Sequence, residues 1–259
     1  MKLIDTHTHL YLPEFDNDRQ KVIENAKQAG IQYAILPNID RESIPQMKAM
    51  QTSYPDFCFM AMGLHPTSVK ENYQEELDLI YDELKTGHYI AVGEMGIDLY
   101  WDKSFYEQQK NAFRKQAEWA VEFHLPLIIH SRDSFDEIFK LMDDIWTPQL
   151  KGVFHCYTGN EQQARKIIHD YGFKLGLGGV LTFKNSTLRD EIKAIDLKHF
   201  LLETDAPFLA PVPYRGKRNE SAYVSIVAQK LAEVKQCSIE EIAEISSANA
   251  MELFNLTSK

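Results

Sequence analysis

The sequence predicts an α/β protein folded as one (β/α)8 TIM barrel, with its active site at the carboxyl-terminal ends of the strands. Short apolar runs alternate with amphipathic, charge-rich stretches along all 259 residues, a length that suits such a barrel. No Gly/Pro/Ser-rich linker interrupts the pattern, so residues 1–259 are expected to form a single domain. An open doubly wound sheet is the competing architecture, but no glycine-rich phosphate loop follows the first apolar run.

Eight apolar runs are predicted as strands because each is short and is bounded by polar or turn-forming residues. They cover residues 3–8, 32–36, 57–63, 89–94, 126–130, 152–156, 173–177 and 200–204. Helical patterns lie between them, and Asp18 and Asp133 are predicted to cap two of these helices. Two closing helices are predicted at about 221–234 and 238–254.

Histidines and carboxylates collect where the predicted strands end. Five of the nine histidines and two acidic residues hold such positions, whereas the other four histidines precede apolar runs or lie within a helical pattern. The strand-end residues are His7, His9, His65, His130, His155, Glu94 and Asp205. Imidazole and carboxylate bind the divalent cations that generate hydroxide near neutral pH, so the arrangement predicts a hydrolytic metal site.

The number of ligands predicts more than one ion. Any one of these residues alone would be a hydrogen-bonded strand-end group, but their convergence carries a desolvation cost that bound cations offset. Four imidazoles and two carboxylates exceed what one tetrahedral zinc with an open position needs. We therefore expect two divalent ions (Mg, Mn or Zn) bridged by Glu94, with Asp205 also acting as general base. The expected terminal ligands are His7, His9 and Asp205 on one ion and His130 and His155 on the other.

Three further residues near the predicted strand ends are candidates for substrate binding. His65 is placed to hydrogen-bond a substrate oxygen, with a helix-capping role as the alternative. Arg132 has the forked geometry that binds phosphate, with an ion pair to Asp133 or Asp136 as the alternative. Glu203 is expected to orient a ligand or a substrate group.

A basic loop at residues 214–219 follows the last predicted strand. It is the one dense basic cluster on the predicted catalytic face, where a nucleic-acid backbone would need counter-charge, although charge runs usually are simply solvated. Its charged members are Arg215, Lys217 and Arg218. Tyr100 and Trp101, which follow Glu94, are candidates for stacking on a base, with packing inside the protein as the commoner outcome.

Composition limits the classes of function. The formal charge of −10 opposes broad, non-specific adhesion to nucleic acid but leaves room for a local phosphate site beside metal ions. The amino terminus carries Asp5 where a signal peptide would be apolar, and no apolar run is long enough for a bilayer, so we expect a cytoplasmic protein without membrane attachment. Three widely spaced cysteines, Cys58, Cys156 and Cys237, predict reduced, buried thiols.

Read together, these motifs resemble those of the TatD family of metal-dependent deoxyribonucleases, itself similar to the amidohydrolase superfamily. The likeness covers essentially the whole chain: residues 4–10 (Ile-Asp-Thr-His-Thr-His-Leu) resemble the opening signature, 126–133 the middle one and 201–207 the closing one. Residues 93–98 and 154–156 fall where the family has its bridging glutamate and fourth histidine. The sequence departs from the family pattern at Tyr11, where aspartate is usual, and at Ser221, where proline is usual.

The resemblance implies the same six ligands and the hydrolysis of phosphodiester bonds, with 3′–5′ exonuclease activity on single-stranded DNA or 3′ ends. Histidine-rich ligation favours zinc or manganese, whereas the family's nucleases resemble magnesium enzymes, so the metal stays open. Two alternatives stay open as well: an ester or amide hydrolase, such as an aminoacyl-tRNA deacylase or a small-molecule amidohydrolase, and a non-catalytic metal-dependent binding module. No obligate protein partner is inferred.

Overall fold

The computed structural model describes residues 1–256, in which eight parallel strands form a closed ring. The strands are β1 (Leu3–Asp5), β2 (Ile31–Pro37), β3 (Cys58–Ala61), β4 (Val92–Asp98), β5 (Leu127–Arg132), β6 (Gly152–Phe154), β7 (Lys174–Leu177) and β8 (Phe200–Leu202). Hydrogen bonding runs in the order β1-β2-β3 and β4-β5-β6-β7-β8. Two parallel bridges, Met62 with Val92 and Thr8 with Ala206, join the two sets at both seams. The predicted barrel is confirmed.

Helices connect the strands and pack on the outside of the ring. They are α1 (Arg19–Gln28), α2 (Ile44–Ser53), α3 (Tyr73–Leu84), α4 (Tyr106–Glu122), α5 (Phe135–Ile145), α6 (Glu161–His169), α7 (Leu188–Glu191), α8 (Val224–Lys235) and α9 (Ile239–Leu253). Short 3-10 turns supplement them, including Pro66–Ser68 after β3 and Ser221–Tyr223 before α8. Within the described part of the chain, no helix combines the length and apolarity that a bilayer span requires.

The apolar core has two layers because successive side chains of a strand point to opposite faces. Ile4, Ile35, Ile128, Val153 and Leu201 belong to the cluster inside the barrel, which Phe254 and its neighbours at the end of α9 join. Alternate strand residues, such as Leu3, Ile129 and Phe154, belong to the larger cluster between strands and helices. The interior is thus filled with side chains, and the histidines and carboxylates at the strand ends lie at its upper rim.

The observed strand ends differ most from the prediction in β4. We predicted a strand that ends at Glu94, but pairing with β5 continues through Gly96, opposite His130, to Asp98, opposite Arg132. Gly96 allows this close approach, because a Cβ atom there would lie 2.0 Å from the His130 carbonyl oxygen. The apolar run ends at Glu94 because the residues that follow it on the same face of β4 are Gly96 and Asp98, so hydropathy marked the end of the core and not the end of the strand.

The two predicted aspartate caps are wrong. Asp18 does occupy the position before α1, but its carboxylate makes no capping hydrogen bond and instead binds Arg218. Asp133 has a positive φ of 54° and precedes Ser134, which is the residue before α5. The predicted start of α9 is confirmed, since the Ser238 hydroxyl accepts a hydrogen bond from the Glu241 N–H. All three cysteines are free thiols; Cys58 is buried, but Cys156 and Cys237 are only half-buried, contrary to the prediction.

Candidate metal centre

The first part of the centre is built by the segment that follows β1. His7 and His9 are buried, and their Nε2 atoms lie 3.3 Å apart. Backbone hydrogen bonds from the Asp205 N–H to the His7 carbonyl and from the His9 N–H to the Ala206 carbonyl fasten this segment to the one after β8. The Asp205 carboxylate consequently approaches both imidazoles, with Oδ1 3.7 Å from His7 Nε2 and 3.5 Å from His9 Nε2.

The second part lies around the ends of β5 and β6. His130 Nδ1 and His155 Nε2 are 3.3 Å apart and each lies 2.8 Å from Glu94 Oε1. His65 Nε2 is 3.2 Å from the same oxygen. The other nitrogen of His65, Nδ1, accepts a hydrogen bond from the Thr67 N–H, so the capping interpretation of this residue is confirmed while its ring also faces the centre.

Glu94 connects the two parts. Its Oε2 lies 3.0 Å from His7 Nε2 and 3.6 Å from His9 Nε2, while Oε1 faces His130 and His155. Burial alone would raise the pKa of Glu94, but the surrounding imidazoles outweigh it and hold that pKa well below its usual range. A buried carboxylate whose two oxygens face two separate sets of imidazoles has the arrangement of a bridging metal ligand.

Two side chains fix the orientation of the imidazoles. Asp98 Oδ2 lies 3.0 Å from His130 Nε2, which leaves Nδ1 directed at Glu94. The Tyr11 hydroxyl donates to the Pro37 carbonyl, so its oxygen is available to accept the proton of His9 Nδ1, 2.8 Å away. Each contact leaves one unprotonated ring nitrogen facing the centre, which is how proteins prepare histidine for metal binding. Tyr11, where the sequence departs from the family pattern, therefore supports the orientation of His9.

These residues fit a divalent cation. His7 Nδ1 and His155 Nδ1 are buried without a hydrogen-bond partner among the described residues, as is Glu203 Oε2. Burial lowers the pKa of His7, whereas contacts with Glu94 and Glu203 outweigh burial and raise the pKa of His155 well above its usual value. Three groups of side chains bring potential ligand atoms within 4.8 Å of one another: His7, His9 and Glu94; His65, Glu94 and His130; and His7, His155 and Glu203. A bound cation would offset the desolvation of so many polar groups.

Residues 4–255 match the family model described as TatD related DNase. The chain belongs to the TatD family. This TatD-family hydrolase is 39% identical over 255 residues to the uncharacterized metal-dependent hydrolase YabD of Bacillus subtilis, a match that covers 98% of the chain and 99% of the relative. It is 29% identical over 261 residues to the 3′-5′ ssDNA/RNA exonuclease TatD of Erwinia tasmaniensis, with 98% and 100% covered. The crystal structure of YjjV, a TatD homolog from Escherichia coli, superposes with a TM-score of 0.92 at 31% identity, covering 98% of both chains.

The centre of this TatD-family enzyme opens into a cavity of about 640 Å³. Five of the six predicted ligands line it, and His7 lies behind them, stacked on His155 with ring centroids 3.8 Å apart. Arg132 lines the rim with its guanidinium 3.8 Å from the centre of the Tyr100 ring. It forms no ion pair with Asp133, Asp136 or any other carboxylate within residues 1–256.

The predicted basic loop divides into two kinds of residue. Arg215 is exposed, lies 3.7 Å from the centre of the Phe183 ring, and lines a neighbouring cavity. Lys217 is exposed as well. Arg218 instead donates two hydrogen bonds of 2.7 Å to Asp18 and one of 3.1 Å to Glu220, so its charge is matched inside the protein.

Glu203 lies beneath the centre and is almost fully buried. Its Oε1 accepts a hydrogen bond from the Cys156 N–H and lies 3.5 Å from His155 Nδ1. Gly176 makes room for it, since a Cβ atom there would lie 2.4 Å from Glu203 Oε2. Glu203 therefore lies behind His155, which is a potential metal ligand. That Glu203 orients a substrate group stays a prediction.

Asp98, which contacts His130 in the candidate centre, is a residue that our sequence reasoning did not assign. A signal for it does exist, because Glu94, Gly96 and Asp98 alternate along one strand and so share a face. The predicted end of β4 at Glu94 hid that relation. Asp5, in the opening signature, was also unassigned; its buried carboxylate accepts hydrogen bonds from the Thr204 and Ser221 hydroxyls and from the Thr204 N–H.

Proposed function

We propose that this TatD-family hydrolase is a deoxyribonuclease that removes nucleotides from the 3′ end of single-stranded DNA with the help of two divalent ions. The observation that carries the proposal is the position of Glu94, whose two carboxylate oxygens face separate imidazole sets on one wall of an open cavity. The relationship to a 3′-5′ ssDNA/RNA exonuclease of Erwinia tasmaniensis supports the substrate class.

Two groups of side chains would hold the ions. His7, His9 and Asp205 would bind one, and His130 and His155 the other, with Glu94 between them. Divalent cations supply positive charge that polarises a phosphoryl group and lowers the pKa of water. The metal could be Mg, Mn or Zn; the imidazole-rich set fits zinc or manganese by ligand type.

Asp205 is the proposed general base. It is the least buried of the carboxylates in the centre, with 15% of its side chain exposed, so it can meet water in the cavity. Burial raises the pKa of Asp205, but the hydrogen bond with His9 and the charges of His7 and His155 outweigh burial and bring the pKa below its usual value. The carboxylate is therefore ionised at neutral pH. An ionised carboxylate at the mouth of the site can accept the proton of an attacking water.

Arg132 and Arg215 are the proposed phosphate contacts. The chain has eight arginines. Within residues 1–256, each of the other six is bonded to a carboxylate or to backbone carbonyls: Arg19, Arg41, Arg114, Arg165, Arg189 and Arg218. A guanidinium stacked on an aromatic ring, with its edge free, is suited to bidentate phosphate binding. His65 and Lys217 are further proposed contacts, whereas Arg218 would act by joining the loop to α1.

A labelled-DNA assay tests the proposal. The metal-loaded protein should release mononucleotides from 5′-labelled single-stranded DNA, leaving labelled ladders that shorten from the 3′ end, and a chelator should stop the release. Asp205→Asn should lose at least a hundredfold in rate, since a positioned acid or base contributes about 10²–10⁴. Asp16→Asn, which changes an exposed carboxylate, is the matched control. Intact DNA together with turnover of an ester or amide would instead assign the centre to the second class of hydrolase.

A further inference from the structure

A second cavity adjoins the metal centre on the far side of Arg132. Its volume is about 580 Å³, which lies within the roughly 300–1,000 Å³ of small-molecule pockets. Ser131, Arg132 and Thr158 line both cavities, so the two lie side by side. Arg132 follows His130 by two residues of β5, a distance of roughly 6.6 Å along the strand. A chain-like substrate that reaches the metal centre can therefore extend into the second cavity.

One wall of this cavity is aromatic. Tyr100 is 53% exposed although Arg132 covers one face of its ring, and the half-buried Phe135 lies nearby in the lining. Trp101, 69% exposed, meets Tyr100 edge-on with ring centroids 4.9 Å apart. Exposure of an aromatic ring to water costs free energy, and these two rings line the second cavity and the cavity of the metal centre and not a remote surface. Flat, aromatic groups are the ligands that such a wall binds.

Another part of the lining offers hydrogen-bond donors. Asn160 and Gln163 form the capping box of α6, in which the side-chain oxygen of each accepts the backbone N–H of the other. Both residues line the cavity, and their amide NH₂ groups donate no hydrogen bond within residues 1–256. Asp133 and Glu191 also line the cavity. These two carboxylates repel phosphate, so the walls beyond Arg132 suit an uncharged ring with hydrogen-bond acceptors better than a second anion.

We propose that this cavity is a nucleoside subsite, which holds the base and sugar next to the cleaved bond while the flanking phosphate lies on Arg132. The base stacks against the aromatic wall, and the amides of Asn160 and Gln163 donate to its oxygen and nitrogen atoms. The inference rests on the proposed function. It also explains why the substrate would be single-stranded, because a base that is paired in a duplex cannot reach the aromatic wall.

Abasic substitution tests the subsite. Single-stranded oligodeoxythymidylates would carry one abasic nucleotide at each of the last four positions from the 3′ end in turn, and KM would be measured for every substrate. For the wild type, one position should raise KM about tenfold relative to the intact oligonucleotide, as the loss of one base–aromatic stack does. In Tyr100→Ala the ratio of abasic to intact KM at that position should fall to about one, whereas Tyr100→Phe should keep it.

Trp146→Ala is the matched control, since it removes a partly exposed aromatic ring that lines none of the cavities around the centre. It should keep the wild-type ratio. If wild type degrades the intact oligonucleotide but no abasic position changes KM, or Tyr100→Ala keeps the full ratio, the subsite is wrong and the nuclease proposal stands. If wild type leaves every oligonucleotide intact, both fail.

Discussion

Asp98→Asn is the substitution that tests most directly how the metal centre is prepared. Asp98 Oδ1 accepts the N–H groups of Tyr100 and Trp101 at 3.0 and 3.2 Å, while Oδ2 lies 3.0 Å from His130 Nε2. An asparagine must keep its carbonyl oxygen on the two N–H groups, so its NH₂ group is directed at His130. The imidazole then accepts at Nε2 and carries its proton on Nδ1, the atom that faces Glu94.

The magnitude follows from the contact that is lost. A hydrogen bond to a charged group contributes about 1.5–3 kcal/mol, and each 1.36 kcal/mol is a factor of ten. Metal affinity at the His130 side should therefore fall about 10- to 100-fold, in line with the usual effect of removing a partner of a metal-binding histidine. Competition with a chromophoric chelator measures this affinity for zinc and manganese, and the rate of DNA cleavage at saturating metal measures what remains of activity.

Asp102→Asn is the matched control on the same loop. Its carboxylate is 43% exposed and pairs with Lys70 across 3.5 Å. Surface pairs of this kind contribute at most about 1 kcal/mol, so metal affinity should stay within about twofold of the wild type. If Asp98→Asn binds metal as tightly as the control, then the Asp98–His130 contact does not prepare the ligand, and the reasoning from tautomer to affinity is refuted.

Three further predictions concern stability. Burial raises the pKa of Asp5 from 3.8 to about 7, so the folded protein binds this proton more tightly than the unfolded chain does. The resulting contribution to the free energy of unfolding is full below about pH 4 and falls by about 4 kcal/mol as the pH rises to about 7. Urea titrations of the metal-free protein should show this loss in the wild type and not in Asp5→Asn. Arg218→Gln should cost about 1 kcal/mol, because its pair with Asp18 is bidentate but partly exposed, and equal urea midpoints would contradict this. Phe154→Ala should lower the free energy of unfolding by about 3–5 kcal/mol in urea titrations, since this side chain is fully buried. A loss below about 1 kcal/mol would contradict this and would show that neighbouring side chains fill the cavity.

Local patterns in the sequence predicted most of the barrel. Each strand is a short apolar run, and observed strands such as β2 and β5 overlap their predicted ranges closely. The errors lie where a polar residue belongs to an element or where a side chain has a distant partner. Asp18 illustrates the second case: its cap-like position is evident locally, but its partner Arg218 is 200 residues away and comes near only when the ring closes.

The sequence by itself determined the alternation of strands and helices and the set of groups at the strand ends, because hydropathy and residue type act over a few neighbouring residues. The tertiary structure decided which imidazoles face each oxygen of Glu94. It also decided that Asp98 orients the ring of His130 and that Tyr11 orients the ring of His9, and it decided which arginines have no bonded partner among residues 1–256. Those relations depend on distances between segments far apart in the chain, and closure of the eight strands sets all of them at once.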